Sequence, residues 1–398
     1  MFLPNPSPDH RRPLDPRDLA MLGPEGAAAI GRHLASRAGH APTPLHALPG
    51  LAAALGIGTL VVKDEGRRLG LGSFKALGGA YAVVRLVLEE ASARLGRTLS
   101  DGDIADPAVR AVAGGMTFAC ATDGNHGRSV AQGAGLVGAR SVIFVHGGVS
   151  EERVAAIARF GARMVRVPGT YDDSVKEAAR VAQENGWTVV SDTSWEGYER
   201  IPGLVMQGYT AIAQEAFAQL PQAPTHVFVQ AGVGGIAAAM ATQMAVQYGA
   251  ERPVFIVVEP ELAACVFAAA RSGQAVAIDH GAPTVMAMLE CYEPSPIALR
   301  VLLRAADAFL TATDAQAVEA MNRLARPEGT DPAIVAGESG AAGLAGLLAA
   351  LRDPAARAAL KLDDRSRVFL VNTEGATDPA RYAELVGLAP EVVGAVAA

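Results

Sequence analysis

His226-Val227-Phe228-Val229-Gln230-Ala231-Gly232-Val233-Gly234-Gly235-Ile236-Ala237-Ala238-Ala239 reads as a short apolar strand that passes through a glycine turn straight into an alanine-rich helix. A strand without polar alternation is buried on both faces, as in parallel sheets covered by helices. The same alternation extends outward in both directions. Besides His226–Gln230, strands are predicted at Thr59–Lys63, Thr117–Thr122, Ser141–Val145, Arg163–Val167, Thr188–Ser191, Val254–Val258 and Val368–Val371. Helices are predicted at Lys75–Glu90, Gly127–Leu136, Glu151–Phe160, Asp172–Glu184, Pro202–Gln219 and Ile236–Tyr248, with one earlier piece over Gly26–Ala38. Such alternation gives an α/β fold with parallel-rich twisted sheets flanked by helices.

The four strands between Thr117 and Ser191 are spaced closely enough to form a compact sheet of their own. The strands before and after this block then build a second, larger sheet. The expected division is a large domain from residues 1–88 and 219–398 and a small α/β domain over 89–218. A chain of 398 residues can bury two such cores. With 34 Lys and Arg against 41 Asp and Glu, the formal charge is −7, which argues against nucleic acid as the main partner. Aromatic residues make up only 5%, so the cores must be built from Ala, Val, Leu and Ile.

The opening Met1-Phe2-Leu3-Pro4-Asn5-Pro6 has no basic head and no long apolar run, and nowhere does an uninterrupted apolar stretch of about 18 residues occur. No signal peptide and no membrane span are expected, and the expected location is the cytoplasm. Three cysteines, Cys120, Cys265 and Cys291, make no disulfide framework. Cys265 and Cys291 enclose a loop short enough to be bridged, but reduced thiols are the expectation for a cytoplasmic chain.

Four segments combine residue types that do chemistry. In Lys63-Asp64-Glu65-Gly66-Arg67-Arg68-Leu69-Gly70-Leu71-Gly72-Ser73-Phe74-Lys75 a strand ends, a glycine-rich loop follows and a helix opens, which places Lys75 in the first helical turn. The positive end of a helix dipole opposes an ammonium there and favours a free amine nucleophile; the plain alternative is a solvated lysine. In Ala121-Thr122-Asp123-Gly124-Asn125-His126-Gly127-Arg128 three polar groups follow a strand end, where α/β folds place ligands. Asn125 as a helix cap is the plain reading, and His126 has no metal-ligand partner at suitable spacing, so no metal is expected.

The glycine turn Gly232-Val233-Gly234-Gly235 at a helix start is an anion cradle that suits a phosphate. It also fits a dinucleotide fingerprint, with Glu259 placed to bind a ribose, so a nicotinamide-dependent oxidoreductase is a rival reading. That reading leaves Lys75 and the Asp123–His126 cluster without a role. The fourth segment, Val371-Asn372-Thr373-Glu374-Gly375-Ala376-Thr377-Asp378-Pro379, ends a strand in hydroxyls, Thr373 and Thr377, that suit a ring nitrogen; the plain alternative is a turn with a cap for the last helix. Asp192-Thr193-Ser194-Trp195-Glu196-Gly197-Tyr198 and Gly337-Glu338-Ser339-Gly340 are further polar loops.

A phosphate cradle, a lysine at a helix start and a polar loop from another sheet suit pyridoxal 5'-phosphate. Ser73-Phe74-Lys75-Ala76-Leu77-Gly78-Gly79, the Asp123–Arg128 loop, Asp192–Tyr198, Gln230–Gly235 and Asn372–Pro379 occur in an order that resembles the diaminopropionate ammonia-lyase family, among the fold type II, tryptophan-synthase-β-like pyridoxal phosphate enzymes. The resemblance runs from about residue 40 to the end of the chain and departs at Gly72-Ser73, where some members have Asn-Ala.

It implies elimination of ammonia from 2,3-diaminopropionate of either hand, giving pyruvate and two ammonia. It further implies Lys75 and Asp123 as catalytic residues, Lys75 joined covalently to the cofactor, Asn125 at its phenolic oxygen, Gly232, Val233, Gly234 and Gly235 at its phosphate, and Thr373 near its ring nitrogen. Asp192, Glu338 and Ser73 are candidates for holding the substrate, and a homodimer is implied. Dehydratases of the same fold acting on serine, threonine or 3-hydroxyaspartate are the nearest enzymatic alternative; a ligand-binding relic is a further one.

Overall fold

The strands of this computed structural model, which describes residues 1–122 and 124–396, are β1 (Phe2–Pro4), β2 (Leu45–Ala47), β3 (Thr59–Asp64), β4 (Thr117–Ala121), β5 (Arg140–His146), β6 (Arg163–Val167), β7 (Thr188–Val189), β8 (His226–Gln230), β9 (Val254–Pro260), β10 (Ala308–Ala312) and β11 (Arg367–Asn372). Each expected strand is present to within a few residues. The expectation missed β1, β2 and β10. The first two are three-residue edge strands, too short for any periodicity. β10 is fully buried, but its Ala-Phe-Leu-Thr-Ala is flanked by alanine-rich helices that hide it.

The described residues form two compact units. The larger comprises Met1–Pro24, Ala41–Phe74 and Ile212–Ala398; the smaller comprises Glu25–His40 and Lys75–Ala211.

In the larger unit the strands run β1-β10-β9-β8-β11-β3-β2, parallel except for β1 and β2 at the edges. The chain steps from β8 outward to β9 and β10, then returns to lay β11 on the other side of β8. That reversal makes the carboxyl ends of β8 and β11 a switch point, the place where an open parallel sheet leaves room for a ligand. In the smaller unit the order is β6-β5-β4-β7, all parallel. Here the reversal falls between β4 and β7. Each sheet therefore opens at the ends of the strands that lead into the polar loops.

The loop that leads from β3 toward Lys75 is held by buried charge. Lys63, Glu65 and Arg68 have fully buried side chains. Arg68 donates to Glu65 at 2.7 Å through both Nε and Nη2, and to Glu215 at 2.6 and 2.7 Å. Lys63 Nζ reaches Glu215 at 2.7 Å, and Thr43 Oγ1 donates to Glu65 at 2.6 Å. Two cations thus meet two carboxylates, so no charge is left unpaired, and removing any one member would leave an isolated buried charge. Burial alone would lower the Arg68 pKa, but Glu65 and Glu215 raise it above its ordinary value. The anchored side chain holds Leu69 at φ 50°, ψ 25°, a left-handed conformation that disfavours a branched residue by roughly 1 kcal/mol.

Candidate active site

In the smaller unit Lys75 lies in a single 3₁₀ turn, Phe74–Leu77, and the α-helix begins only at Gly78 and runs to Leu95. This corrects the expectation of a lysine in the first α-helical turn. Its ammonium is met by a carboxylate: Lys75 Nζ forms an ion pair and hydrogen bond with Asp192, in the loop after β7. Burial would raise the Asp192 pKa, yet the charges of Lys75 and His126 hold it well below the usual carboxylate range. Asp192 is therefore ionised throughout the physiological range. The Tyr209 hydroxyl also reaches Lys75, and burial pushes its phenol above the ordinary value.

Tyr209 is delivered by the helix Arg200–Gln219, which packs closely because glycines remove the intervening atoms. A Cβ at Gly208 would lie 2.3 Å from the Leu77 carbonyl oxygen, and one at Gly78 would lie 2.6 Å from the Tyr209 ring.

Thr122, at the end of β4, shapes the next loop. Its Oγ1 accepts from the Gly124 and Gly127 amides at 3.1 and 3.2 Å. Gly124 is the cap and Asn125 is already the first residue of the helix Asn125–Val137, so Asn125 is not the cap that its position suggests. Its side chain is buried. His126 Nε2 donates to the Val190 carbonyl at 2.9 Å, which fixes the tautomer, and burial lowers its pKa. That bond anchors the ring to the backbone after β7, and the described residues contain no metal-binding cluster. Asp123 lies outside the described residues.

In the larger unit β8 ends at Gln230 and the helix Gly235–Tyr248 begins five residues later. Among the described residues, the N–H groups of Gly232, Val233, Gly234 and Gly235 meet no carbonyl or side-chain acceptor. Unpaired N–H groups at a helix start attract an anion. Gly234 sits at φ +99°, where a side chain would be strained, and a Cβ at Gly232 would come within 3.0 Å of Cys291 Sγ. Cys265 Sγ lies 3.6 Å from the Gly232 carbonyl oxygen. No disulfide joins the two cysteines, and burial raises the Cys265 pKa.

Beside this loop stands the end of β11. Thr373 is buried, and its Oγ1 accepts from Gln230 Nε2 at 2.9 Å. Phe74 N–H donates to the Thr373 carbonyl at 2.9 Å, and Ser73 forms a bridge with Glu374. Ser73 Oγ is buried with no hydrogen-bond partner among the described residues. Glu338 is buried in the 337–341 loop.

The sequence pattern of the family described as pyridoxal-phosphate dependent enzyme matches residues 37–374. The diaminopropionate ammonia-lyase of Escherichia coli (strain K12) is 41% identical over 356 residues, covering 88% of each chain. That of Salmonella typhimurium (strain LT2) is 38% identical, covering 87% of this chain and 88% of its own. The crystal structure of the holo Escherichia coli enzyme superimposes with a TM-score of 0.87 at 36% identity, covering 97% of this chain and 96% of that one. The chain belongs to the diaminopropionate ammonia-lyase family of pyridoxal-phosphate dependent enzymes.

The cofactor of a diaminopropionate ammonia-lyase requires an amine for its aldehyde, an anion site for its phosphate and partners for its ring heteroatoms. In the smaller unit Lys75 offers an amine; in the larger unit, described by itself, the amides of Gly232–Gly235 fit an anion and the buried Thr373 hydroxyl fits a ring heteroatom. The nicotinamide alternative fails on Glu259. This residue is fully buried, and its two oxygens accept from the Val266 and Phe267 amides at 2.8 and 2.6 Å, so no ribose can reach it.

Burial pushes the Glu259 carboxyl up to about 8 against those two bonds. The folded state then holds a proton that the unfolded chain releases near 4.5. Its contribution to stability therefore falls as pH rises from about 4.5 to about 8, by an upper bound of about 5 kcal/mol. Glu259→Gln removes this slope. Urea unfolding at several pH values across that range should show the variant trailing the parent most in acid, with the gap narrowing toward pH 8; parallel profiles would refute the assignment.

Two buried residues escaped sequence reasoning. Gln230 left a signal, a polar residue ending an apolar strand. Tyr209 left none, since it lies 134 positions beyond Lys75 (209 − 75) inside an amphipathic helix.

Proposed function

We propose that the chain converts 2,3-diaminopropionate and water to pyruvate and two ammonia by α,β-elimination. The observation that carries this reading is the likeness to diaminopropionate ammonia-lyases over nearly the whole of both chains. When bound, pyridoxal phosphate supplies an electron sink for negative charge at the substrate α-carbon.

The chain's own residues do the rest. Lys75 holds the cofactor covalently through its amine and, once released, accepts the α-proton of the L-isomer. Asp123 accepts the α-proton of the D-isomer. The amides of Gly232, Val233, Gly234 and Gly235 hold the phosphate, Asn125 the phenolic oxygen and Thr373 the ring nitrogen. Asp192, ionised at neutral pH, suits the ammonium groups of a diamino acid better than the neutral hydroxyl of serine; Glu338 and Ser73 complete the substrate contacts. A homodimer in the cytoplasm belongs to the same reading, supported by the family resemblance. Among the described residues no helix is long and apolar enough to cross a membrane.

The test is an assay of pyruvate and ammonia from D- and L-2,3-diaminopropionate, serine, threonine and 3-hydroxyaspartate. Two ammonia per pyruvate from diaminopropionate, at the highest kcat/KM of the set, is the expected result. A preference for a hydroxy amino acid, with one ammonia per keto acid, would displace the reading in favour of a dehydratase.

A further inference from the structure

Gln230 is fully buried at the end of β8, and none of the roles above uses it. Its Nε2 lies 2.9 Å from the Ser339 carbonyl oxygen, 2.9 Å from that of Gly340, 3.1 Å from that of Val371 and 2.9 Å from Thr373 Oγ1. Three carbonyl oxygens around one end of an amide decide which end it is, because only the NH₂ group can face them without repulsion. The contact with Thr373 therefore has a single polarity. An amide nitrogen cannot accept, so Gln230 donates and the hydroxyl accepts.

The Thr373 hydrogen must then point elsewhere. Its partner within the protein is the Ser339 carbonyl at 3.4 Å, well beyond the roughly 2.7–2.8 Å usual for O–H···O. Donation to a ligand is the better bond left to it. Accepting from a protonated ring nitrogen instead would leave the hydroxyl hydrogen with only that long contact. Meanwhile Gln230 Oε1 is buried with no hydrogen-bond partner among the described residues, a penalty of about 1–3 kcal/mol that an apolar strand end would avoid.

We infer that Gln230 is a positioning residue that biases the Thr373 hydroxyl to donate to the cofactor's ring nitrogen, keeping that nitrogen unprotonated. The inference rests on the proposed function, which sets Thr373 beside the ring. An unprotonated ring draws less negative charge from the α-carbon, which favours prompt loss of the β-amino group over reprotonation.

The experiment uses holoenzyme loaded with pyridoxal phosphate carrying ¹⁵N in the ring, with borohydride fixation to Lys75 run on each sample. The wild-type ¹⁵N resonance should fall in the hydrogen-bonded neutral pyridine range; a pyridinium shift overturns the inference without any variant having to fold. Gln230→Leu should move the resonance toward the protonated value and make the visible absorbance pH-dependent. In a Thr373→Val background the same replacement should move nothing further, because Gln230 acts only through that hydroxyl. Thr373→Ser, which keeps the hydroxyl, should retain the wild-type resonance. An unshifted Gln230→Leu, or additive shifts in the double variant, also overturns it. Wild-type protein that fails to be fixed at Lys75 would remove the underlying cofactor reading, a different failure from an unmoved ring resonance.

Discussion

Lys75→Ala is expected to give a folded, colourless protein whose activity on both isomers of diaminopropionate falls by about a thousandfold or more. The loss of a positioned general base alone removes roughly 10²–10⁴ in rate, and here the covalent anchor of the cofactor goes with it. The ion pair adds a second, separable consequence. Asp192 is held ionised by the charges of Lys75 and His126 against the effect of its own burial. A carboxyl whose folded pKa is depressed contributes stability above its unfolded pKa, and that contribution disappears as pH falls through the folded value. Without Lys75 the contribution shrinks, so the variant should be less stable at neutral pH and converge on the parent in strong acid.

Lys75→Arg divides the two effects. The guanidinium still pairs with Asp192 but cannot bond covalently to the cofactor aldehyde, so stability should return while colour and activity do not. Visible spectra and urea unfolding of the three proteins check both halves. A visible cofactor band surviving in Lys75→Ala would defeat the role given to this lysine.

The parallel core was legible because burial on both faces leaves an unbroken apolar run. His226–Gln230 and Arg163–Val167 match their strands residue for residue. Glycine turns after such runs marked the candidate site for the same reason: a strand that must release a ligand loop carries a visible change of composition. What could not be read was long-range partnership. Nothing near Arg68 announces Glu215, and nothing near Lys75 announces Asp192 or Tyr209, since these pairs are set by which strand lies beside which. The β4–β7 and β8–β11 neighbours come from chain reversals, and strand order is not encoded in any local pattern. Local electrostatics misled in one place. The helix-dipole argument for Lys75 assumed an α-helical turn, whereas the close packing of Gly78 against Tyr209 and Val205 belongs to a helix that starts three residues later. Glu259 misled in another, because its position after β9 suits a ribose, yet its oxygens are occupied by the start of the next helix.

Asp123→Asn should separate the two isomers of the substrate. The α-hydrogens of D- and L-diaminopropionate leave from opposite faces of the same planar centre, so a single base fixed on one face cannot serve both. In the proposed function Lys75 serves the L-isomer, because the amine that holds the cofactor would be released on its own side. The D-isomer then needs a second acceptor, and Asp123, next to Thr122 in the sequence, is the residue that the family resemblance implies. Asparagine keeps the shape and most of the hydrogen bonding of aspartate but cannot take a proton. The expected loss in kcat is about 10²–10⁴ for the D-isomer and less than about tenfold for the L-isomer. Measured with α-deuterated substrates, the isotope effect on the D-isomer should rise as proton removal becomes the slow step, while that on the L-isomer stays put. Equal losses on the two isomers would mean that one residue handles both faces, and the division of labour between Lys75 and Asp123 would have to be abandoned.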